Sequence, residues 1–210
     1  MTDGLNRQFM RNPPDFLGRI WAIDVPNAAF IQVDADGIGT FDLVINPRAS
    51  LGTRSVILRP FRRNWHNWRL LAHPIRAYYL PSVPNRSPTL RLGTRADYFF
   101  TDTIQGCMFA AYGDDRNHLT VMHANALNIG GQEELTRQAG EIRAGDHAYT
   151  MILDPATYRT APDEHPGDWQ AEMVTVTVVG WRRNDGWHFY HRRRHDPYGG
   201  AREVFDVDEL

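Results

Sequence analysis

The chain has 210 residues, a formal net charge of −2 and 42% hydrophobic residues. This composition is sufficient for a substantial core, and because no linker or repeat marks a seam, we predict a single domain over residues 1–210. The small net charge disfavours nucleic acid as a partner. Since no apolar run approaches the roughly 18 residues of a membrane span, we expect no such span, and we expect no classical signal peptide.

Predicted strands dominate the chain. They are recognised by β-branched and aromatic residues, by alternation of polar and apolar positions, and by the turn residues that bound them. They cover 19–25, 29–33, 40–45, 55–58, 76–80, 107–112, 119–123, 146–153, 173–179 and 187–190. Turn residues at 34–37 and 184–186 join neighbouring strands, and a short helix is predicted over 132–139. The pattern predicts an α+β fold built on a β-sandwich of largely antiparallel or mixed sheets, with a few short helices.

Cys107 is the only cysteine, which excludes an intramolecular disulfide and is consistent with a reducing environment. It begins a predicted hairpin whose turn, residues 113–118, is rich in Gly, Asp and Asn, and whose return strand carries His123. A turn centred near Asp115 places Cys107 directly opposite His123. Directly opposed residues have Cβ atoms about 4.5 to 5.5 Å apart, which allows an imidazole to share a proton with a thiol.

A thiol opposite an imidazole is a candidate nucleophile with its base. Gly106 supports this interpretation, because a glycine permits an unusual backbone angle and lets a substrate carbonyl approach the Cys107 N–H as an oxyanion donor. The alternative is structural. A free cysteine is often a small buried hydrophobe, and a histidine near an apolar face is often a hydrogen-bonded core residue. The residues alone leave both interpretations open.

The residues around this pair form a longer motif. It consists of Phe99-Phe100-Thr101, Ile104-Gln105-Gly106-Cys107, Phe109-Ala110, Gly113-Asp114 and His123. Over about 25 residues this motif resembles the catalytic region of the cytotoxic-necrotizing-factor-like and Burkholderia lethal factor-like glutamine deamidases. That family has a Leu-Ser-Gly-Cys segment followed by a histidine one hairpin later. The related chemotaxis receptor deamidases have a threonine six residues before the cysteine, where this chain has Thr101.

The resemblance implies a role for each matching residue. Cys107 would be the nucleophile, His123 the general base and acid, and Thr101 the residue that holds the imidazole in the useful tautomer. Gly106 and Gln105 would form the oxyanion and substrate-positioning segment. The chain departs from the family at Gln105, where the toxins have serine, so that a bulky amide would narrow the cleft or bind the substrate. No cofactor and no metal is implied.

The resemblance also implies a function. The protein would be a bacterial toxin or effector that deamidates a glutamine of a host protein, for which a GTPase and a translation factor are precedents. We expect a monomer that resides in the bacterial cytoplasm before export and is then secreted or injected into the host cytosol. A cysteine hydrolase or transglutaminase would use the same pair. A catalytically silent protein-binding module on the same fold is the alternative from another class.

Two further features of the composition concern basic residues. All 23 are arginine. Codon bias in a GC-rich bacterium is the simpler explanation. The alternative is that a protein in a host cell persists longer because it offers no lysine to ubiquitin. Arg182-Arg183 and Arg192-Arg193-Arg194 form either a solvated sheet end or a basic patch that steers an acidic partner. The nearby His188 and His191 would point to opposite faces of a strand, so a metal site is not predicted there.

Overall fold

The computed structural model describes residues 3–25, 31–47, 55–61, 73–126, 128–160, 174–195 and 203–210. Most of the described residues lie in strands, with a few short helices between them. The helices are α1 (Asp3–Arg11), α2 (Pro13–Gly18), α3 (Gly131–Ala144) and α4 (Pro155–Tyr158). The strands are β1 (Ile23–Asp24), β2 (Ile38–Ile45), β3 (Val56–Pro60), β4 (Ile75–Leu80), β5 (Thr89–Arg91), β6 (Tyr98–Thr101), β7 (Met108–Gly113), β8 (Thr120–Ala124), β9 (Tyr149–Leu153), β10 (Val174–Arg183), β11 (Gly186–His195) and β12 (Glu203–Glu209).

The strands of the described chain form two sheets. The larger has the order β1-β3-β2-β4-β6-β10-β11-β12, and the smaller has the order β5-β8-β7-β9. Within the larger sheet β1 pairs with β3 and β4 with β6 in parallel, and the other pairs are antiparallel. This mostly β architecture agrees with the predicted α+β class and mixed sheets, while the β-sandwich and the single domain stay predictions.

The two sheets share one hydrophobic cluster, and three phenylalanine rings show how they meet. Phe99 of β6 and Phe189 of β11 belong to the larger sheet, and Phe109 of β7 belongs to the smaller one; all three are fully buried. The ring of Phe109 lies 5.8 Å from that of Phe99 and 5.3 Å from that of Phe189, measured between centroids. Such aromatic contacts add to the burial of apolar area. They bring the end of β6 close to the start of β7.

The predicted strand over 19–25 is much shorter in the structure, and helix α2 directly precedes it. Asn12 caps α2 by accepting a hydrogen bond from Asp15 N, and prolines occupy the first helical turn, where their missing N–H costs nothing. Arg19 ends α2, so only Ile23–Asp24 remains as a strand. The Asn-Pro-Pro-Asp sequence at 12–15 is the signal that would have identified this helix.

The remaining predicted elements are mostly confirmed, with changed boundaries. The turn at 34–37 is present, since Gly37 N donates to Asp34 O, but 31–33 form no strand and 29–30 lie outside the described residues. The predicted helix over 132–139 is the core of the longer α3. Strands β10 and β11 extend several residues beyond their predicted ends because they pair with each other along their full length.

Asn6 connects α1 to the larger sheet, and we expect its loss to destabilise the protein. Its amide donates to Asp42 Oδ1 at 2.9 Å and to His73 O at 3.0 Å, and its Oδ1 accepts from Leu43 N at 2.8 Å. Because Asn6→Ala leaves these buried groups unpaired, the free energy of unfolding should fall by about 2 to 4 kcal/mol. Urea denaturation measures this change. The exposed Gln8→Ala on the same helix is the control, and an equal loss in both variants would refute the assignment.

Candidate active site

The predicted register of the hairpin is wrong by two residues. Phe109, not Cys107, is paired with His123, and Cys107 lies just before β7, diagonal to the histidine. The loop is shifted because the Asp115 side chain accepts hydrogen bonds from the backbone N–H groups of Asn117 and His118. A shift of two residues preserves the face of a strand. Cys107 and His123 therefore remain on the same face of the hairpin, the one that packs against the larger sheet.

Thr101 connects the larger sheet to His123. Its hydroxyl donates to Leu80 O at 2.8 Å, and the same oxygen lies 2.8 Å from His123 Nδ1. A hydroxyl has a single proton, so an oxygen that donates to the Leu80 carbonyl accepts the hydrogen bond from the ring. Nδ1 of His123 therefore carries the proton, and Nε2 has a free lone pair. The predicted partnership of Thr101 and His123 is thus present as a direct contact.

The imidazole of His123 is held as a neutral base. It is fully buried, and its Nε2 has no hydrogen-bond partner. Burial lowers the pKa of His123 to about 4, because the protonated ring would lose its hydration. An unpaired buried nitrogen normally costs free energy. Its retention in a site beside the motif cysteine is a reason to consider a chemical role for it.

The thiol of Cys107 lies just below the surface. Gln105 is exposed, Gly106 is half-buried and Cys107 is 7% exposed, so the chain passes from solvent into the core over three residues. The Sγ atom is 3.8 Å from Gln105 O and is not hydrogen-bonded to His123. Burial raises the pKa of the thiol, and the hydrogen bond to the Gln105 carbonyl is the largest of the interactions that oppose the rise. The resting thiol is therefore protonated near neutral pH.

Gly106 adopts a backbone conformation with φ of 73°, which side chains rarely allow. A Cβ atom at this position would also lie 3.0 Å from Nη2 of Arg159. The Tyr158 hydroxyl donates to Cys107 O at 2.9 Å, so the end of α4 is fixed to the Gly106–Cys107 segment. The sequence motif did not include Tyr158 or Arg159, which are about fifty residues away along the chain and carry no local signal of a site.

A second group missed by the sequence lies at the ends of β4 and β6. Asp102 follows Thr101 directly and accepts hydrogen bonds from the Tyr79 hydroxyl and from Ser82 N, the latter at 2.7 Å. The Ser82 hydroxyl accepts from the Asn125 amide at 3.3 Å. Burial raises the pKa of Asp102, and its two hydrogen bonds oppose that rise. The only sequence signal was its position next to Thr101.

The arginines of the predicted basic patch lie away from this site and make internal contacts. Arg182 pairs with Asp97, Arg183 stacks over Trp181 with 5.5 Å between guanidinium carbon and ring centroid, and Arg192 donates to a backbone carbonyl of α2. These arginines therefore support the structure more than they form a free basic patch. Within the described segments, no three His, Cys, Asp or Glu side chains are grouped to hold a metal, and no helix is long and apolar enough to cross a membrane.

No family model matches the chain, and no curated protein matches it. Among solved structures, the C-terminal domain of CNFy from Yersinia pseudotuberculosis resembles it with a TM-score of 0.34 and 14% sequence identity. The alignment covers 65% of this chain and 62% of that domain, so it spans less than two thirds of either. A likeness of this size supports no conclusion about residues or activity.

The burial of His123 predicts a pH dependence of stability. Its pKa is about 4 in the folded state and about 6.5 in the unfolded chain. The unfolded state therefore binds this proton first as the pH falls, so the stabilisation is complete above pH 7 and is lost between about pH 6.5 and 4. We expect the unfolding free energy of the wild type to fall on the order of 3 kcal/mol more than that of His123→Gln over this range. Parallel urea-denaturation profiles of the two proteins would contradict this prediction.

Proposed function

We propose that the protein is a bacterial toxin or effector that deamidates a glutamine side chain of a host protein through Cys107 and His123. One observation carries the proposal. A buried histidine, fixed by Thr101 with its Nε2 lone pair unpaired, lies on the same face of a hairpin as the motif cysteine. The resemblance of residues 99–123 to glutamine deamidases supports the choice of substrate. The proposal also includes membership of that family, the roles of the residues and delivery to a host.

The proposed chemistry starts with the transfer of the Cys107 proton to Nε2 of His123. The thiolate attacks the carboxamide carbon of the substrate, and the oxygen gains negative charge near the Cys107 N–H. His123 returns the proton to the amide nitrogen, which leaves as ammonia when its bond to carbon breaks. Water, activated by the same imidazole, then attacks the thioester, so that glutamate and the free thiol are formed.

The resting geometry has to change before this transfer, since Sγ lies near the Gln105 carbonyl and not on the imidazole. Catalytic hydrogen bonds are often long or absent in a free enzyme and form only when the substrate is bound. Gln105 is exposed next to the thiol, where a substrate would enter.

The test is mass spectrometry of host-cell lysate after incubation with wild-type protein, Cys107→Ala or His123→Gln. A deamidated glutamine gains about one mass unit, which is the replacement of an amide by an acid after thioester hydrolysis. We expect this gain with the wild type and its loss in both variants, with unchanged circular dichroism. Sites that also appear with Cys107→Ala would be spontaneous.

The same experiment separates the competing functions. A labelled primary amine that is incorporated at the glutamine in place of water would identify a transglutaminase, and new peptide termini would identify a protease-like hydrolase. If no glutamine changes and both wild type and Cys107→Ala retain the same host partner, the deamidase proposal is refuted in favour of a binding module.

Thr101 provides a sharper variant pair. Thr101→Ser keeps the hydroxyl between Leu80 O and His123 Nδ1, whereas Thr101→Val removes it and leaves both groups unpaired. We expect Thr101→Ser to retain most of the deamidation rate and Thr101→Val to lose about 10²-fold or more, because the ring would lose its tautomer and orientation. Deamidation rates at saturating substrate measure this. Equal activity of the two variants would show that the hydroxyl is dispensable.

A further inference from the structure

We propose that Asp102 is a positioning residue that keeps the ring proton of His123 on Nδ1. It acts through the backbone at the end of β4, where the Leu80 carbonyl accepts the proton of the Thr101 hydroxyl. This inference rests on the proposed function in taking Nε2 of His123 as the catalytic base. Asp102 is not placed in contact with a substrate, so it contributes to the geometry of the base and not to the reacting atoms.

Thr101 and Asp102 are consecutive residues that both bind the end of β4. Leu80 is the partner of Thr101 in the parallel pairing of β4 with β6, and its carbonyl accepts from the Thr101 hydroxyl at 2.8 Å. The next residue, Pro81, has no N–H. The next backbone donor is therefore Ser82 N, which donates to Oδ2 of Asp102 at 2.7 Å. The two side chains thus continue the connection between the strands beyond the end of their backbone pairing.

The carboxylate of Asp102 is itself held in place. The Tyr79 hydroxyl donates to its Oδ1, while Oδ2 accepts from Ser82 N. Burial raises the pKa of Tyr79, so the phenol keeps the proton that it donates. Hydrogen bonds to an ionised carboxylate are shorter and stronger than neutral ones. Only Pro81, whose ring fixes φ, lies between Ser82 N and the Leu80 carbonyl, so this anchor restricts the direction of the carbonyl.

The direction of the Leu80 carbonyl decides the tautomer of His123. The Thr101 oxygen lies 2.8 Å from Nδ1, a distance that suits a hydrogen bond in either direction. While the hydroxyl donates to Leu80 O, it accepts from Nδ1–H. If that carbonyl turns away, the hydroxyl can donate to Nδ1 instead, and the single proton of the neutral ring moves to Nε2. Nε2 would then have no lone pair to receive the proton of the thiol.

The experiment measures the tautomer of His123 by nitrogen NMR of histidine-labelled protein at neutral pH, which requires no substrate. The protonated and the unprotonated ring nitrogen have well-separated resonances, and the signals of His123 are those lost in His123→Gln. We expect the wild type to carry the proton on Nδ1. In Asp102→Ala the ratio of Nε2–H to Nδ1–H should rise about fivefold or more, the effect of losing one hydrogen bond.

Two variants separate the loss of the acceptor from general loosening of the fold. Asp102→Asn keeps a side-chain oxygen that can accept from Ser82 N, so its tautomer ratio should stay near that of the wild type. Asn6→Ala disturbs the same sheet at β2, so it should lower the stability without changing the ratio. Thermal unfolding above the temperature of the NMR measurement establishes that each variant is folded.

A tautomer shift in Asp102→Ala that Asp102→Asn and Asn6→Ala do not show supports the proposal. It is overturned if the wild type has its proton on Nε2, if folded Asp102→Ala keeps the wild-type ratio, or if either control shifts the ratio as far. If Asp102→Ala does not fold, amide hydrogen exchange of Ser82 in the wild type decides. Protection similar to that of the strand amides supports the anchor, and exchange at the rate of an exposed amide overturns it.

Failure of this inference is distinguishable from failure of the proposed function. Cys107-dependent deamidation with an unchanged tautomer in Asp102→Ala removes only the inference. A tautomer shift without deamidation by the wild type leaves Asp102 as the residue that orients His123 and refutes the deamidase. If both proposals hold, Asp102→Ala should deamidate about tenfold more slowly at saturating substrate with KM unchanged, because the base is displaced and the substrate contacts are not.

Discussion

The site depends on one hydroxyl group. Thr101 ends β6, donates to Leu80 of the neighbouring β4, and accepts from His123 of β8 in the other sheet. This oxygen therefore joins the two sheets at the point where the motif residues meet, and it determines which nitrogen of the imidazole is protonated. The aromatic contacts of Phe99, Phe109 and Phe189 hold the sheets in place, but they have no directionality that would fix a ring tautomer.

The arrangement has an energetic cost that the fold tolerates. A fully buried imidazole nitrogen without a partner costs about 1 to 3 kcal/mol, and a thiol placed in the core resists ionisation. Buried polar groups without a hydrogen-bond partner are expected at functional sites, where they bind a ligand or a proton. The cost thus agrees with a chemical role for the pair.

The electrostatics of the pair describe a neutral resting state. Burial lowers the pKa of His123 and raises that of Cys107, so thiol and imidazole are both uncharged near neutral pH. The guanidinium of Arg159 lies next to Gly106, in the space that a side chain at position 106 would fill.

The hairpin and the shared face of Cys107 and His123 could be predicted from the residue pattern, because strand periodicity and turn composition are local and because a register error of two residues preserves the strand face. The contact of Thr101 with His123 was expected only from the resemblance to the deamidases. The register itself could not be predicted, since the side chain of Asp115 decided the loop geometry. Helix α2 carried a capping signal at Asn12, followed by two prolines in its first turn. Tyr158 and Arg159 reach the Gly106–Cys107 segment only after the chain has folded, because contacts across such sequence distances are decided by packing and not by local residue pattern.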